Sequence, residues 1–328
     1  MLQLDTMTPI INILIFVSSC GLLYISGEIM VNSLVRLSKY FGLKEFVVAF
    51  FVMAVASSIP NLLIGITSAL KGIPELSLGD IMGNNLIDLT IAVGLAVLFS
   101  PTKEISAESK TIQSTSMFTL GAALLPIILI VDGILSRADG IILISFFFIY
   151  IFWLFSKKER FSKAIEGNIH PNAISGTKEG LKDAFKIFFG TSLLFIAAQG
   201  IVLSSTFLAT SLGLPLVIVG SLIIAFGSAL PEVYFAIYSA RREETFMILG
   251  NLMGAVIIPA SLVLGIVTLI SPINVTGLGS FFMNRIFLII AILAFFMFTR
   301  TQEKITRKES YVLIAIYLIF VITTLIKY

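Results

Sequence analysis

The chain has 328 residues, of which 57% are hydrophobic and only 12% are charged, and its formal net charge is +3. Soluble domains carry about twice that share of charged residues, so the composition excludes a soluble enzyme, a nucleic-acid-binding protein and a disordered chain. Because the apolar residues occur in long uninterrupted runs, the sequence predicts an all-α integral membrane protein.

Ten segments have the roughly 20 consecutive apolar residues that a helix needs to cross a bilayer. In chain order they run roughly over 10–36, 45–70, 76–99, 113–131, 138–156, 187–209, 215–240, 246–270, 281–299 and 310–326. The first eight residues contain no Lys or Arg, so the first segment is expected to be a retained span and not a signal peptide.

The distribution of basic residues predicts the orientation of these spans. With the N-terminus outside, 18 of the 22 Lys and Arg residues fall on the cytoplasmic side, which is the side that they favour. The chain is therefore expected to be a multi-pass protein of the cell membrane with both termini extracytoplasmic.

The two halves of the chain resemble each other. An offset of 171 residues aligns 79–95 with 250–266, with three glycines in register, and places Pro60 on Pro231. Each half contains five predicted spans, an odd number, so the second half enters the membrane in the opposite orientation. The sequence thus predicts two inverted five-helix repeats, an architecture of secondary transporters whose substrate site lies near the bilayer midplane.

This duplication divides the chain into three parts. The first repeat is expected to cover 1–156 and the second 187–328. The polar stretch between them, 157–186, is expected to be a cytoplasmic linker.

Three acidic residues, Glu28, Asp88 and Glu232, lie well inside predicted spans, and no Lys or Arg lies at comparable depth. An ionised side chain at such depth costs several kcal/mol unless it is paired or hydrated, so these residues indicate a bound cation. Asp88 and Glu232 belong to the aligned motifs of opposite halves, which an inverted repeat brings together. Glu28 is expected either to make a structural hydrogen bond or to lie near the ion path.

Neutral oxygen donors accompany the two motif carboxylates. They are Ser57, Ser58, Asn61, Asn84, Asn85 and Ser228. Hard cations such as Ca²⁺ and Na⁺ favour an all-oxygen shell of this kind, and Pro60 and Pro231 free backbone carbonyls one turn earlier. The alternatives are a buried protonated acid hydrogen-bonded between helices, and Ser and Asn side chains that serve helix packing.

Two further features bound the chemistry. Asp80 aligns with Asn251 but lies near a predicted span end, where it is expected to cap a helix or line a vestibule. The single cysteine and single histidine of the chain exclude a Cys- or His-rich metal site, and no pairing of nucleophile and base suggests an enzyme.

Paired motifs carry a resemblance to a known family. The second half reads GSALPE at 227–232 and the first half ASSIPN at 56–61, and these are followed by GNLMGA at 250–255 and GDIMGNN at 79–85. In these motifs the chain resembles the sodium/calcium exchanger family of the calcium/cation antiporter superfamily. The resemblance implies that spans 1 and 6 move against a core of spans 2, 3, 7 and 8.

The chain departs from the family pattern at two positions. Asn61 follows the first motif proline, where the family usually has Glu, whereas Glu232 follows the second. The family places Asn or Asp 27 residues further on, and this chain has Asp88 and Pro259 there. Two carboxylates still balance one Ca²⁺, but fewer anionic positions are expected to weaken the simultaneous binding of three sodium ions.

The predicted function is that of a secondary active cation antiporter, which exchanges Na⁺ for Ca²⁺ by alternating access at a midplane carboxylate site. The predicted ion ligands are Asp88, Glu232, Asn61, Asn84, Ser57, Ser58 and Ser228. The predicted partners are inorganic cations and the lipid bilayer, with no cofactor and no nucleic acid, and the sequence indicates no protein partner. The alternatives are a proton-coupled exchanger of Ca²⁺ or a monovalent cation such as K⁺, and a non-transporting ion-binding protein or a channel.

Overall fold

The computed structural model describes residues 9–40, 53–156, 176–275 and 278–327, and these residues are almost entirely helical. In chain order their helices are α1 Pro9–Tyr40, α2 Ala54–Leu70, α3 Glu75–Phe99, α4 Lys110–Leu129, α5 Arg137–Ser156, α6 Gly176–Leu212, α7 Leu216–Ser228, α8 Leu230–Arg241, α9 Thr245–Ile270, α10 Leu278–Arg300 and α11 Arg307–Lys327.

Within the described part of the chain, eight helices are long and apolar enough to cross a membrane, and the bent pair α7–α8 makes up to nine. The protein is therefore a multi-span membrane protein. The predicted second span, 45–70, appears as the shorter helix α2 of 17 residues, and residues 45–52 of that prediction lie outside the described residues. The count of ten spans stays a prediction.

The expectation of a purely helical chain is wrong in detail, because four short strands join the helices. Strand β1, Glu104–Ser106, pairs antiparallel with β4, Lys304–Thr306, and β2, Ile134–Leu135, pairs antiparallel with β3, Ile273–Asn274. These segments lie between helices, where their backbone N–H and C=O groups have no helical partners. Pairing between the two halves of the chain satisfies those groups.

The predicted linker 157–186 is also partly helical. Helix α6 begins at Gly176 and runs for 37 residues, well before the predicted span start at 187, while 157–175 lie outside the described residues. The change from polar to apolar sequence marks the predicted membrane boundary, and a helix need not end there.

The two motif prolines have different effects on their helices. At Pro231 the chain bends by 42° between α7 and α8, and this proline lies in the first turn of α8. Pro60, in contrast, lies inside the continuous helix α2. The predicted interruption at Pro60 is therefore absent, since one missing backbone hydrogen bond does not end a helix that its neighbours support.

Local π-helical turns occur in three of the helices. They are Asp88–Ala92 in α3, Gly220–Ile224 in α7 and Pro259–Val263 in α9. Such turns are rare and are found mostly at functional sites.

The motif-bearing helices form the centre of the protein. The most apolar window is 83% buried in α3 and 78% buried in α9, against 28% in α1, α5 and α11. Helix α5 exposes Phe148, Ile149 and Phe152, an apolar surface typical of lipid contact. Helix α1 packs along α6, where Gly200 comes close to Ser19.

Two glycines allow α3 to approach α7 closely. A Cβ atom on Gly79 would overlap the backbone carbonyl of Val217, and one on Gly83 would overlap that of Ser221. Small residues spaced by four are a common basis of tight helix packing in membranes. This contact places the polar face of α3 directly beside the end of α7.

Candidate functional site

A chain of buried hydrogen bonds connects α3 with α7. Asp80, Asn84 and Asp88 are spaced by four residues, so they share one face of α3. The Asn84 Nδ2 donates to Asp88 Oδ2 at 3.1 Å. The Ser228 hydroxyl, at the end of α7, lies 2.9 Å from Asp80 Oδ1 and 3.3 Å from Asn84 Oδ1. One side chain from the second half of the chain therefore bridges two from the first.

Glu232 lies beside this chain of hydrogen bonds, in the first turn of α8. It is 2% exposed, and its carboxylate interacts with the Ser57 hydroxyl of α2 and lies within electrostatic range of Asp80. Asp88 lies within electrostatic range of Glu232 in turn. Because the bend before α8 frees the N–H groups of its first turn, the helix N-terminus favours a negative charge at this position.

A cavity of about 330 Å³ leads to this group of side chains. It is lined by Tyr24, Glu28, Asn32, Met53, Ser57, Pro231, Glu232, Tyr234, Phe235, Tyr238 and Asn251. The exposed Glu28 of α1 and the buried Glu232 are thus two carboxylates of one cavity. The structure favours a place beside the ion path for Glu28 over a structural hydrogen bond.

Several oxygen atoms of the site have no hydrogen-bond partner. They are Asp80 Oδ2, Asp88 Oδ1, Glu232 Oε2, Asn61 Oδ1 and Asn85 Oδ1. Buried acceptors without partners are costly. Among the described residues the ion pairs are Arg36–Asp183 and Lys304–Glu104, and neither includes a carboxylate of the site. A bound cation is the kind of partner that these oxygens lack.

The carboxylates do not form a metal centre by themselves. Among the residues that the structure describes, no group of three or more His, Cys, Asp and Glu side chains converges to hold a metal ion. An ion here would therefore also need the hydroxyl and amide oxygens of Ser57, Ser228 and Asn84.

The structure brings five of the seven predicted ligands together, namely Asp88, Glu232, Asn84, Ser57 and Ser228. The Ser58 hydroxyl instead donates to the Ala54 carbonyl at 2.6 Å, as hydroxyls in helices often do. Asn61 is 1% exposed, but no hydrogen bond among the described residues joins its Oδ1 to the site.

Asp80 is the residue that sequence reasoning misjudged. The expectation that it caps a helix or lines a vestibule is wrong, because Asp80 is 0% exposed and lies in the hydrogen-bonded group. The close approach of α3 to α7 covers it. Its spacing of four residues from Asn84 was the available signal in the sequence.

The sequence profile of the family described as sodium/calcium exchanger protein matches residues 11–156 and 184–326. The chain belongs to this family. Sodium/calcium exchanger proteins are transporters and not enzymes, and the interval between the two matched segments lies within the predicted linker.

Two curated relatives match most of the chain. The sodium/calcium exchanger MaX1 of Methanosarcina acetivorans is 25% identical over 95% of this chain and 98% of its own length. The inner membrane protein YrbG of Escherichia coli is 25% identical over 82% of this chain and 81% of its own length.

A solved structure shares the fold of this family member. The sodium-calcium exchanger NCX_Mj, soaked with Na⁺ and Sr²⁺, superposes with a TM-score of 0.67 at 24% identity. The match covers 96% of this chain and 98% of that chain. The likeness therefore extends over both halves of the exchanger fold.

Proposed function

We propose that this protein is a secondary active antiporter that exchanges Na⁺ for Ca²⁺ at the buried site between α3, α7 and α8. The observation that carries the proposal is a set of buried carboxylates from both halves of the chain, Asp88 and Glu232 among them, with unpartnered oxygens. The names of the relative MaX1 and of NCX_Mj support the choice of Na⁺ and Ca²⁺ as transported ions.

Within this proposal, Asp88 and Glu232 supply the negative charge that balances one Ca²⁺. Asn84, Ser57 and Ser228 supply neutral oxygens, as hard cations favour. Ser58 and Asn61 are proposed to complete the shells in another state of the transport cycle, since neither joins the group here.

Exchange follows from competition for one set of ligands. Either Ca²⁺ or Na⁺ neutralises the two carboxylates, and the protein has no reason to change conformation with both charges buried and unpaired. The transported ions are the substrates, and the proposal requires no cofactor.

We also propose the ten-span architecture of two inverted repeats, 1–156 and 187–328, with the stretch 157–186 between them as a cytoplasmic linker and both termini extracytoplasmic. Three correspondences support the repeat. The π-helical turns of α3 and α9 begin 171 residues apart, and so do the 3₁₀ turns Ile130–Asp132 and Thr301–Glu303. Exchanging the two halves also converts the β1–β4 pair into the β3–β2 pair.

The test is flux in proteoliposomes that contain the purified protein. We expect Ca²⁺ uptake driven by an outward Na⁺ gradient, and no uptake when K⁺ or choline replaces Na⁺. Uptake driven by a pH gradient in the absence of Na⁺ would instead identify a proton-coupled exchanger. Flux that needs no counter-ion would identify a channel.

A further inference from the structure

Asp80 is a third buried carboxylate beside the two that the proposed function uses. We propose that Asp80, together with Ser228 and Asn84, forms a separate subsite for one Na⁺ ion next to the Asp88 and Glu232 carboxylates. This inference rests on the proposed function and extends it by assigning a further ion position to one half of the protein.

The geometry of Asp80 indicates an acceptor group that lacks a partner. The residue is 0% exposed. Its Oδ1 lies 2.9 Å from the Ser228 hydroxyl, whereas its Oδ2 has no hydrogen-bond partner. A carboxylate accepts several hydrogen bonds when it is ionised, so one neutral donor leaves most of this capacity unused.

The Ser228 hydroxyl cannot satisfy the oxygens around it. Asp80 Oδ1, Asn84 Oδ1 and the Ala225 carbonyl lie 2.9, 3.3 and 3.3 Å from Ser228 Oγ. A hydroxyl has one proton to donate, so at any moment two of these three acceptors receive no hydrogen bond from it. Several oxygens that converge without enough donors are the arrangement that a hard cation stabilises.

The charges favour a monovalent ion at this position. Asp88, Glu232 and Asp80 together carry three negative charges when ionised, and one Ca²⁺ balances two of them. One carboxylate with neutral hydroxyl and amide oxygens matches a single positive charge. No Lys or Arg among the described ion pairs and hydrogen bonds contacts Asp80.

The subsite belongs to one half of the protein only. The residue 171 positions after Asp80 is Asn251, which is neutral and lines the cavity. Pro259 likewise has no carboxylate at the position that corresponds to Asp88. Asp80 therefore supplies a third carboxylate from α3, and the expectation that this chain binds sodium weakly for want of anionic positions no longer follows.

The experiment is a cation titration of the purified full chain in detergent, with the thermal unfolding midpoint as the readout. Na⁺ and Ca²⁺ are titrated separately, with choline chloride to hold the ionic strength constant. In Asp80→Asn we expect the Na⁺ concentration for half-maximal stabilisation to rise by about tenfold or more, because a charged ligand is replaced by a neutral one. The Hill coefficient for Na⁺ should fall by about one, while the Ca²⁺ midpoint moves by less than about threefold.

The matched control is Asp132→Asn, which makes the same chemical change in the turn after α4 and should leave both titrations unchanged. If Asp80→Asn does not yield folded protein, the smaller and uncharged Asp80→Ser is expected to give the same loss of Na⁺ response. An unchanged Na⁺ titration in the folded variant would overturn the subsite and leave the proposed exchange intact. A wild-type protein that responds to neither cation would overturn both proposals.

Discussion

Asp88 and Pro259 lie 171 residues apart, and each begins a five-residue π-helical turn inside a membrane-spanning helix. Proline does not explain both turns, since Asp88 has a backbone N–H. The shared geometry therefore follows from the packing at the centre of the protein. Only the turn in α3 carries a carboxylate, so the two halves contribute unequally to the site.

Neutralising either principal carboxylate should abolish the response to calcium. In Asp88→Asn and Glu232→Gln we expect Ca²⁺ affinity to fall by about 10- to 100-fold, because a charged ligand contributes about 1.5–3 kcal/mol. Calcium titration of the thermal unfolding midpoint measures this. The control is Glu108→Gln at an exposed position between β1 and α4, and unchanged calcium binding in both site variants would show that the proposed site is wrong.

A charge swap tests whether Asn61 belongs to the same ion site. The double variant Asn61→Glu with Asp88→Asn restores the number of carboxylates that Asp88→Asn alone reduces. We expect it to recover calcium-dependent stabilisation to within about tenfold of wild type, since the amide of Asn61 is buried and its Oδ1 has no partner. A double variant no better than Asp88→Asn would place Asn61 outside the site.

Glu28 should affect the approach of ions more than their binding. In Glu28→Gln we expect the apparent KM for Ca²⁺ uptake to rise by about three- to tenfold at low salt, because a carboxylate in the cavity raises the local cation concentration. The difference should shrink at high ionic strength, where the charge is screened. Initial uptake rates in proteoliposomes measure this, and a lower maximal rate with an unchanged KM would contradict it.

The contact between α3 and α7 should not tolerate a larger side chain. A Cβ atom on Gly83 would lie 2.6 Å from the Cβ of Ala225, so Gly83→Ala is expected to reduce stability by about 1–3 kcal/mol through overpacking. Gly21 is the matched control, because its Cβ would have no neighbour within 4 Å. Thermal unfolding of Gly21→Ala should match wild type, and equal unfolding of the two variants would refute the close contact.

The ion pair between α1 and α6 predicts a simple pH dependence. Arg36 lies 2.9 Å from Asp183, and its hydrogen bond and charge lower the pKa of this carboxyl below the ordinary 3.8. The stabilisation is therefore present above about pH 4 and is lost only as pH falls through the lowered pKa.

Because Arg36 is half-exposed, Asp183→Asn should cost no more than about 1 kcal/mol. The stability difference between wild type and this variant should stay constant over roughly pH 5 to 8. Thermal unfolding across this range measures it, and a difference that disappears within the range would show that another group controls the contact.

The sequence by itself determined the class of protein and much of the site. Scarce charge and long apolar runs establish a membrane protein, because a bilayer selects for both over lengths that are readable without a fold. Asp88 and Glu232 were also identifiable, since an acidic residue inside an apolar segment is costly and lies in an aligned motif.

Only the tertiary structure decided which polar groups meet. Ser57 and Ser58 are neighbours in sequence, yet one faces Glu232 and the other bonds its own helix at Ala54. Asp80 looked peripheral from its distance to the span end, and the approach of Gly79 and Gly83 to α7 buried it. Depth along a helix is written in the sequence, but the direction of a side chain and the helix that covers it depend on packing between segments far apart in the chain.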